Sequence, residues 1–185
     1  MKKYKMLIFD MDGTILYTLE DLKNTTNYAL SEHGFPERTL EEVRQFVGNG
    51  IHKLIERAVP AGTSDADIEA VFTTFEIYYK DHCMDTTRPY DGINDLLTKL
   101  RAQGYMTAVV SNKVDFAVQD LVKDFFVGQF DVAIGEREGV RKKPAPDSVY
   151  EVLKEFDLKK DEVIYIGDSD VDLSLIHISE PTRLA

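Results

Sequence analysis

Asp10 and Asp12 stand one residue apart at the end of the apolar run "MLIF", and Gly13 and Thr14 follow at once. Two carboxylates at the mouth of what reads as a buried strand need a purpose, because charge is costly to take out of water. In a regular strand, residues two apart share a face, so both side chains can address one ligand. Such a pair suits proton transfer next to a reacting centre, or the holding of a hard cation. "DG" is also a common surface turn, and Asp-x-Asp-Gly by itself occurs in calcium loops. Here the string closes an apolar strand, and the further ligands of an EF-hand are missing.

Three other groups have the same character. "SNK" (Ser111, Asn112, Lys113) ends the run "YMTAVV"; "RKKPAPD" carries Lys142 and Lys143; "GDSDVD" carries Asp168, Asp170 and Asp172 at the end of "EVIYI". Each taken alone has an ordinary reading: turn chemistry, a solvated basic loop, or the capping cluster of a helix. Their placement is the signal. Residues 5–9 read as a short buried strand. From residue 88 onward, helical stretches over 93–103, 114–126 and 147–156 alternate with the strands "YMTAVVS", "FDVAIGE" and "EVIYIGD". Alternation of this kind predicts parallel pairing in an α/β sheet. Ligands of such sheets bind beyond the carboxyl ends of the strands. The chemically useful residues all fall there.

Between residues 17 and 87 the pattern is helical throughout. "TLEDLKNTTNYALSEHG" opens on a capping pattern, Thr18 with Asp21, and stops at Gly34; Thr39 with Glu42 repeats the signal. "GIHKLIERAV" is closed by Pro60, and Ser64 is the expected cap of a fourth helix. The chain is therefore expected to make one strand, leave for an all-helical insertion, and return. Phe75, Tyr78 and Tyr79 read as helix core, Cys83 as a small buried residue, and His33 and His82 as surface positions.

The 185 residues suffice for one domain with a modest insertion. Apolar residues make up 43% and charged residues 30%, values suited to a large core under a solvated surface. The net charge is −11 and the isoelectric point about 4.8. So acidic a surface repels phosphate backbones and argues against nucleic acid as a partner. An anionic substrate would need a local cation. The single cysteine excludes an internal disulfide. No apolar run approaches the roughly 20 residues of a membrane span. The basic-then-apolar start is too short for a signal peptide, which leaves the cytoplasm as the expected compartment.

"DMDGT", "SNK", "KPAP" and "GDSDVD", in that order, resemble the four motifs of the haloacid dehalogenase-like hydrolase superfamily. The helical insertion after the first motif resembles the family's α-helical cap. "VGNG" and "YYKDHCMDTTRPYDGI" are most similar to phosphoglycolate phosphatases and near relatives. The resemblance covers residues 1–172. It implies a Rossmann-like three-layer core with a parallel sheet from residues 1–15 and 88–172, and a helical cap over 16–87. Asp10 would be the nucleophile that forms an aspartyl-phosphate, and Asp12 the general acid and then base. Ser111 and Asn112 would donate hydrogen bonds to the phosphoryl oxygens, and Lys143, directly before the proline of the motif, would neutralise charge. Thr14 would steady the first turn near the substrate. Two carboxylates facing a phosphate dianion require a cation. The resemblance supplies Mg²⁺, held by Asp10, the Asp12 carbonyl and Asp168, with Asp172 orienting its surroundings. Gly48, Asn49 and Gly50 of the cap would offer backbone N–H groups to a substrate carboxylate; a plain helix–helix turn is the competing reading.

The expected activity is hydrolysis of a small anionic phosphate ester, 2-phosphoglycolate first, by a monomer or homodimer. A sugar-phosphate mutase or pyrophosphatase of the same family is the near alternative, and an inactive binding or regulatory protein the distant one. Asp12 argues against a dehalogenase, and the helical insertion argues against a receiver-like module. Two departures stand out. Tyr17 occupies a position where many relatives carry aspartate. Residues 173–185, "LSLIHISEPTRLA", fit neither a capped helix nor a bounded strand and resemble the translated end of a sequencing adapter. They are expected to be a non-native tail, with the family's last helix and strand missing.

Overall fold

The computed structural model describes residues 3–173 and Leu175. Its contacts divide the chain into two compact units, residues 1–16 with 89–185 and residues 17–88.

The first unit is built on β1 (Met6–Phe9), β4 (Met106–Val114), β5 (Val132–Glu136) and β6 (Val163–Ile166), in the order β5-β4-β1-β6 and all parallel. β1 lies between its two neighbours in register, Met6 opposite Met106 and Val163, Phe9 opposite Val109 and Ile166. The alternation of these strands sorts their side chains to two faces. Met6, Ile8, Ala108 and Val110 pack with Val149 and Val152 of α7 (Asp147–Glu155). Phe9 and Val109 pack with Leu97 of α5 (Ile93–Ala102) and with Val118 and Leu121 of α6 (Asp115–Phe125). Helices therefore cover both faces, as the α/β expectation required. The chain leaves β1 for β4 and β5 on one side and returns to β6 on the other, so strand order reverses beside β1. β6 is an edge strand among the described residues. A 3₁₀ turn (Lys160–Glu162) leads into it, and α8 (Asp170–Leu173) follows it. Of the expected tail, Leu173 ends α8 and Leu175 is buried against the α7 face; residues 174 and 176–185 lie outside the described residues.

The second unit holds α1 (Leu19–Glu32), α2 (Leu40–Phe46), α3 (Ile51–Ala58) and α4 (Asp65–His82). Leu30, Val43, Ile55, Val71, Phe75 and Tyr79 form its fully covered core, with Cys83 beside them. Thr39 and Glu42 close the expected capping box, and the Ser64 hydroxyl accepts from Asp67 N–H at 3.2 Å. The cap expected from Thr18 and Asp21 does not form: Thr18 precedes α1 without a side-chain capping bond. The Asp21 carboxylate, 1% exposed, instead accepts from Thr86 N–H and O–H and from Thr87 N–H, tying the returning strand segment to α1. Charge-assisted bonds of this kind outweigh what a first-turn capping box supplies. Two-residue strands β2 (Leu16–Tyr17) and β3 (Arg88–Pro89) pair where the chain passes from one unit to the other.

Candidate active site

The ladder of β1 continues one residue past its last strand position, where Asp10 N–H donates to Ile166 O at 2.8 Å. That bond fixes the Asp10 side chain at the carboxyl edge of the sheet, almost out of contact with water. Its Oδ1 accepts from Met11 N–H at 2.7 Å. The chain then turns sharply, with the N–H groups of Thr14, Ile15 and Leu16 all directed at Met11 O. Gly13 has φ of 81°, and a Cβ there would run into the Asp168 carboxylate. Both the backbone and the space demand glycine. Thr14 donates its hydroxyl proton to Asp168 Oδ1 at 3.1 Å, so it ties the first motif to the last.

Lys143 lies at the centre of this group. Its ammonium reaches Asp10 Oδ1 at 2.9 Å, Asp172 Oδ1 at 2.6 Å and the Tyr165 hydroxyl at 2.9 Å. Three acceptors match the three protons it can donate. Asn112 grips the backbone of Lys143 at both ends, its Nδ2 donating to Lys143 O at 3.0 Å and its Oδ1 accepting from Lys143 N–H at 2.8 Å. The other Asp172 oxygen accepts from Ser169 N–H at 3.0 Å and Ser169 O–H at 2.6 Å. A Cβ on Gly167 would overlap the Asp172 carboxylate. Lys142 pairs with Glu136 and Arg141 with Asp147, so of the three basic residues in this run Lys143 is the one that reaches Asp10 and Asp172.

The residues at the end of β4 take up positions around the same edge. Ser111 Oγ accepts from Lys113 N–H at 3.3 Å, which leaves its own proton to donate. Lys113 turns its ammonium to Asp12 Oδ1 at 3.0 Å. Two buried lysines therefore divide the two aspartates of the first motif between them.

The electrostatics follow from burial of like charges. Burial pushes the Asp10 carboxyl up to about 7; Lys143 opposes the rise, and Asp172 and Asp12 add to it. Asp168 is raised as well, by burial first, against the bond from Thr14. Burial acts to raise Asp172 too, but the Lys143 charge and the bonds from Lys143 and Ser169 outweigh it and hold this carboxyl below its ordinary value. Tyr165, raised well above its ordinary value by burial and by Asp10 and Asp172, stays a neutral phenol. Its hydroxyl lies 2.9 Å from Val110 O and 3.1 Å from Asp172 Oδ1.

Oxygens of Asp10, Asp168 and Asp172 come within 4.8 Å of one another. An all-oxygen set of this kind, with two of its carboxyls raised chiefly by burial, could hold a hard divalent cation. Asp172 is already engaged on both oxygens, so Asp10 and Asp168 are the better placed as direct ligands. Gly48, Asn49 and Gly50 lie in the other compact unit. There Gly48 and Gly50 have positive φ, and Asn49 Oδ1 accepts from Arg57 at 2.8 Å, closing the turn between α2 and α3. Tyr17 lies in that unit too, its hydroxyl 3.4 Å from Glu20 and its ring under Arg88 at 4.6 Å.

Two residues of the site, and Asp21 in the other unit, escape sequence reasoning. Lys113 was read only as the tail of "SNK". Tyr165 carries no signal in the motifs, although its place opposite Ile8 sets it on the Asp10 side of the sheet. Asp21 was taken for a cap residue. For Tyr165 the parity of β6 was the available signal; Asp21 offered none, since its partners lie 65 and 66 residues away.

The model of the haloacid dehalogenase-like hydrolases matches residues 7–175. A phosphoglycolate phosphatase of Haemophilus influenzae is 30% identical over 183 residues, covering 95% of this chain and 82% of the relative. One of Mannheimia succiniciproducens is 31% identical over the same length. A crystal structure from Lactobacillus delbrueckii subsp. bulgaricus, provisionally named a phosphoglycolate phosphatase, superimposes with a TM-score of 0.90 at 38% identity. It covers 97% of this chain and 84% of that one. The chain belongs to the haloacid dehalogenase-like hydrolase family and is an enzyme of the hydrolase class. Among the described residues, no helix is long and apolar enough to cross a membrane.

Proposed function

We propose that the chain is a Mg²⁺-dependent phosphatase that hydrolyses a small anionic phosphomonoester through an aspartyl-phosphate on Asp10, with 2-phosphoglycolate the first substrate to test. The carrying observation is the single ammonium of Lys143 spanning Asp10 and Asp172, within a cluster of three carboxylates. The names of the relatives supply the substrate class.

In this reading the ionised Asp10 carboxylate attacks phosphorus in line with the ester oxygen. The phosphorus–oxygen bond breaks, and the leaving oxygen takes a proton from Asp12. A water molecule then attacks the same phosphorus, gives its proton to Asp12, and releases phosphate and free Asp10. Asp10 must be ionised to attack, yet burial pushes it up to about 7. Lys143 supplies one compensating charge. Asp10, Asp168 and the Asp12 carbonyl would hold Mg²⁺, which when bound would supply the rest of the neutralisation at the phosphoryl group. Ser111 donates to a phosphoryl oxygen, while Asn112 holds the Lys143 backbone so that its ammonium is fixed before substrate arrives. Asp172 and Tyr165 complete the seat of that ammonium.

A panel of phosphomonoesters, assayed with and without Mg²⁺ on the parent and on Asp10→Asn, tests the proposal. Activity confined to the parent and dependent on Mg²⁺ supports it. A parent inactive on every ester, or an undiminished Asp10→Asn, refutes it.

A further inference from the structure

We infer that Lys113 is a positioning residue for proton transfer: its ammonium holds Asp12 by one oxygen and so presents the other to the leaving group and then to water. The inference rests on the phosphatase reading above and adds a residue to it.

Four observations carry it. The Lys113 Nζ lies 3.0 Å from Asp12 Oδ1, and the lysine side chain is 2% exposed against 19% for the aspartate. The anchor is thus buried and the carboxylate it holds is reachable. Next, the backbone at Lys113 is fixed on both sides. Its N–H donates to Ser111 Oγ, and its carbonyl packs so closely on β5 that a Cβ on Gly135 would come within 2.7 Å of it. Further, the other lysine of the site is committed elsewhere, since Lys143 has its three acceptors in Asp10, Asp172 and Tyr165. Finally, Asp12 follows the last in-register residue of β1 by only three positions, and the tight turn through Gly13 begins there. At that turn the bond from Lys113 holds one oxygen of the Asp12 carboxylate.

A buried lysine satisfied by the nearest carboxylate would show the same distance and do nothing for catalysis. The two cases separate by leaving group. Departure of an alkoxide needs the proton that Asp12 carries, whereas p-nitrophenolate leaves with little help. A residue that only supports the fold lowers both rates together. A residue that aims the proton donor lowers the alkyl ester rate selectively.

The experiment compares kcat/KM for the best alkyl phosphomonoester of the panel and for p-nitrophenyl phosphate, with Mg²⁺, in the parent, Lys113→Met, Lys113→Arg, Asp12→Asn and the Lys113→Met/Asp12→Asn double variant. If the inference holds, Lys113→Met loses about tenfold or more in excess on the alkyl ester, a part of the roughly 10²–10⁴-fold that an acid–base group contributes. Asp12→Asn shows the same skew, the double variant is no worse than Asp12→Asn alone, and Lys113→Arg restores most of the balance. An equal loss on both esters, or no loss, overturns the inference while leaving the phosphatase reading intact. A parent chain inactive on every ester of the panel overturns that reading, and the inference with it. Circular dichroism establishes that each variant is folded; if Lys113→Met is not, Lys113→Gln is judged by the same excess loss.

Discussion

Replacing Asp10 by asparagine removes one negative charge and keeps the shape of the side chain. The parent carboxyl is lifted from 3.8 to about 7 by burial, against the pull of Lys143 and with the push of Asp172 and Asp12. A carboxyl that binds its proton more tightly folded than unfolded makes ionisation a cost to the fold. That cost is absent below 3.8, grows as pH rises, and is complete above about 7. A rise of about three pH units, at ~1.4 kcal/mol each, sets an upper bound of about 4 kcal/mol. Asparagine still accepts from Met11 N–H, and Lys143 retains Asp172 and Tyr165, so little is lost in exchange. Asp10→Asn is therefore expected to be more stable than the parent by about 2–4 kcal/mol at pH 8 without divalent cation, and to match it near pH 4. Urea unfolding followed by circular dichroism in EDTA, between pH 4 and 8, reads this directly. Added Mg²⁺ should then stabilise the parent and not the variant. A variant less stable at pH 8, or a gain that does not change with pH, would refute the reasoning.

Lys143→Met strands two buried carboxylates, so it should cost about 3–5 kcal/mol in urea unfolding and at least ~10²-fold in phosphatase kcat. Gly13→Ala forces a Cβ into the Asp168 carboxylate at a positive φ; it should cost about 1–3 kcal/mol and raise the Mg²⁺ concentration needed for half-maximal activity. Asp21→Ala removes the acceptor of three backbone or hydroxyl donors and should destabilise the chain by about 2–4 kcal/mol, measured by thermal or urea unfolding. Phe75→Ala empties a fully buried site among α1–α4 and should cost about 3–5 kcal/mol by the same measurement.

Much of this was legible in the sequence because it depended on local pattern. Strands expected at residues 5–9, 105–111, 130–136 and 162–168, alternating with helices, point to the parallel sheet, and the capping signals at Thr39 and Ser64 to two helix starts. The strand ends put Asp10, Ser111 and Asp168 on one edge, and the loop that carries Lys143 falls between them. What escaped was pairing across long separations. Asp21 looked like a capping residue because the spacing rule ignores a donor segment 65 residues away. Asn112 was read as a phosphate donor, whereas its amide is turned to the backbone of Lys143. Tyr165 and Lys113 sit at positions whose type suits a core or a turn equally well, and only their distances to Lys143 and Asp12 reveal another use.

The central claim is a covalent bond between Asp10 and phosphorus. Acid quenching during turnover of a phosphomonoester with Mg²⁺, followed by borohydride reduction, converts an aspartyl-phosphate to homoserine, and peptide sequencing by mass spectrometry locates it. The account predicts homoserine at position 10, absent without substrate. Homoserine at another aspartate, or none at any while the enzyme turns over, would contradict it.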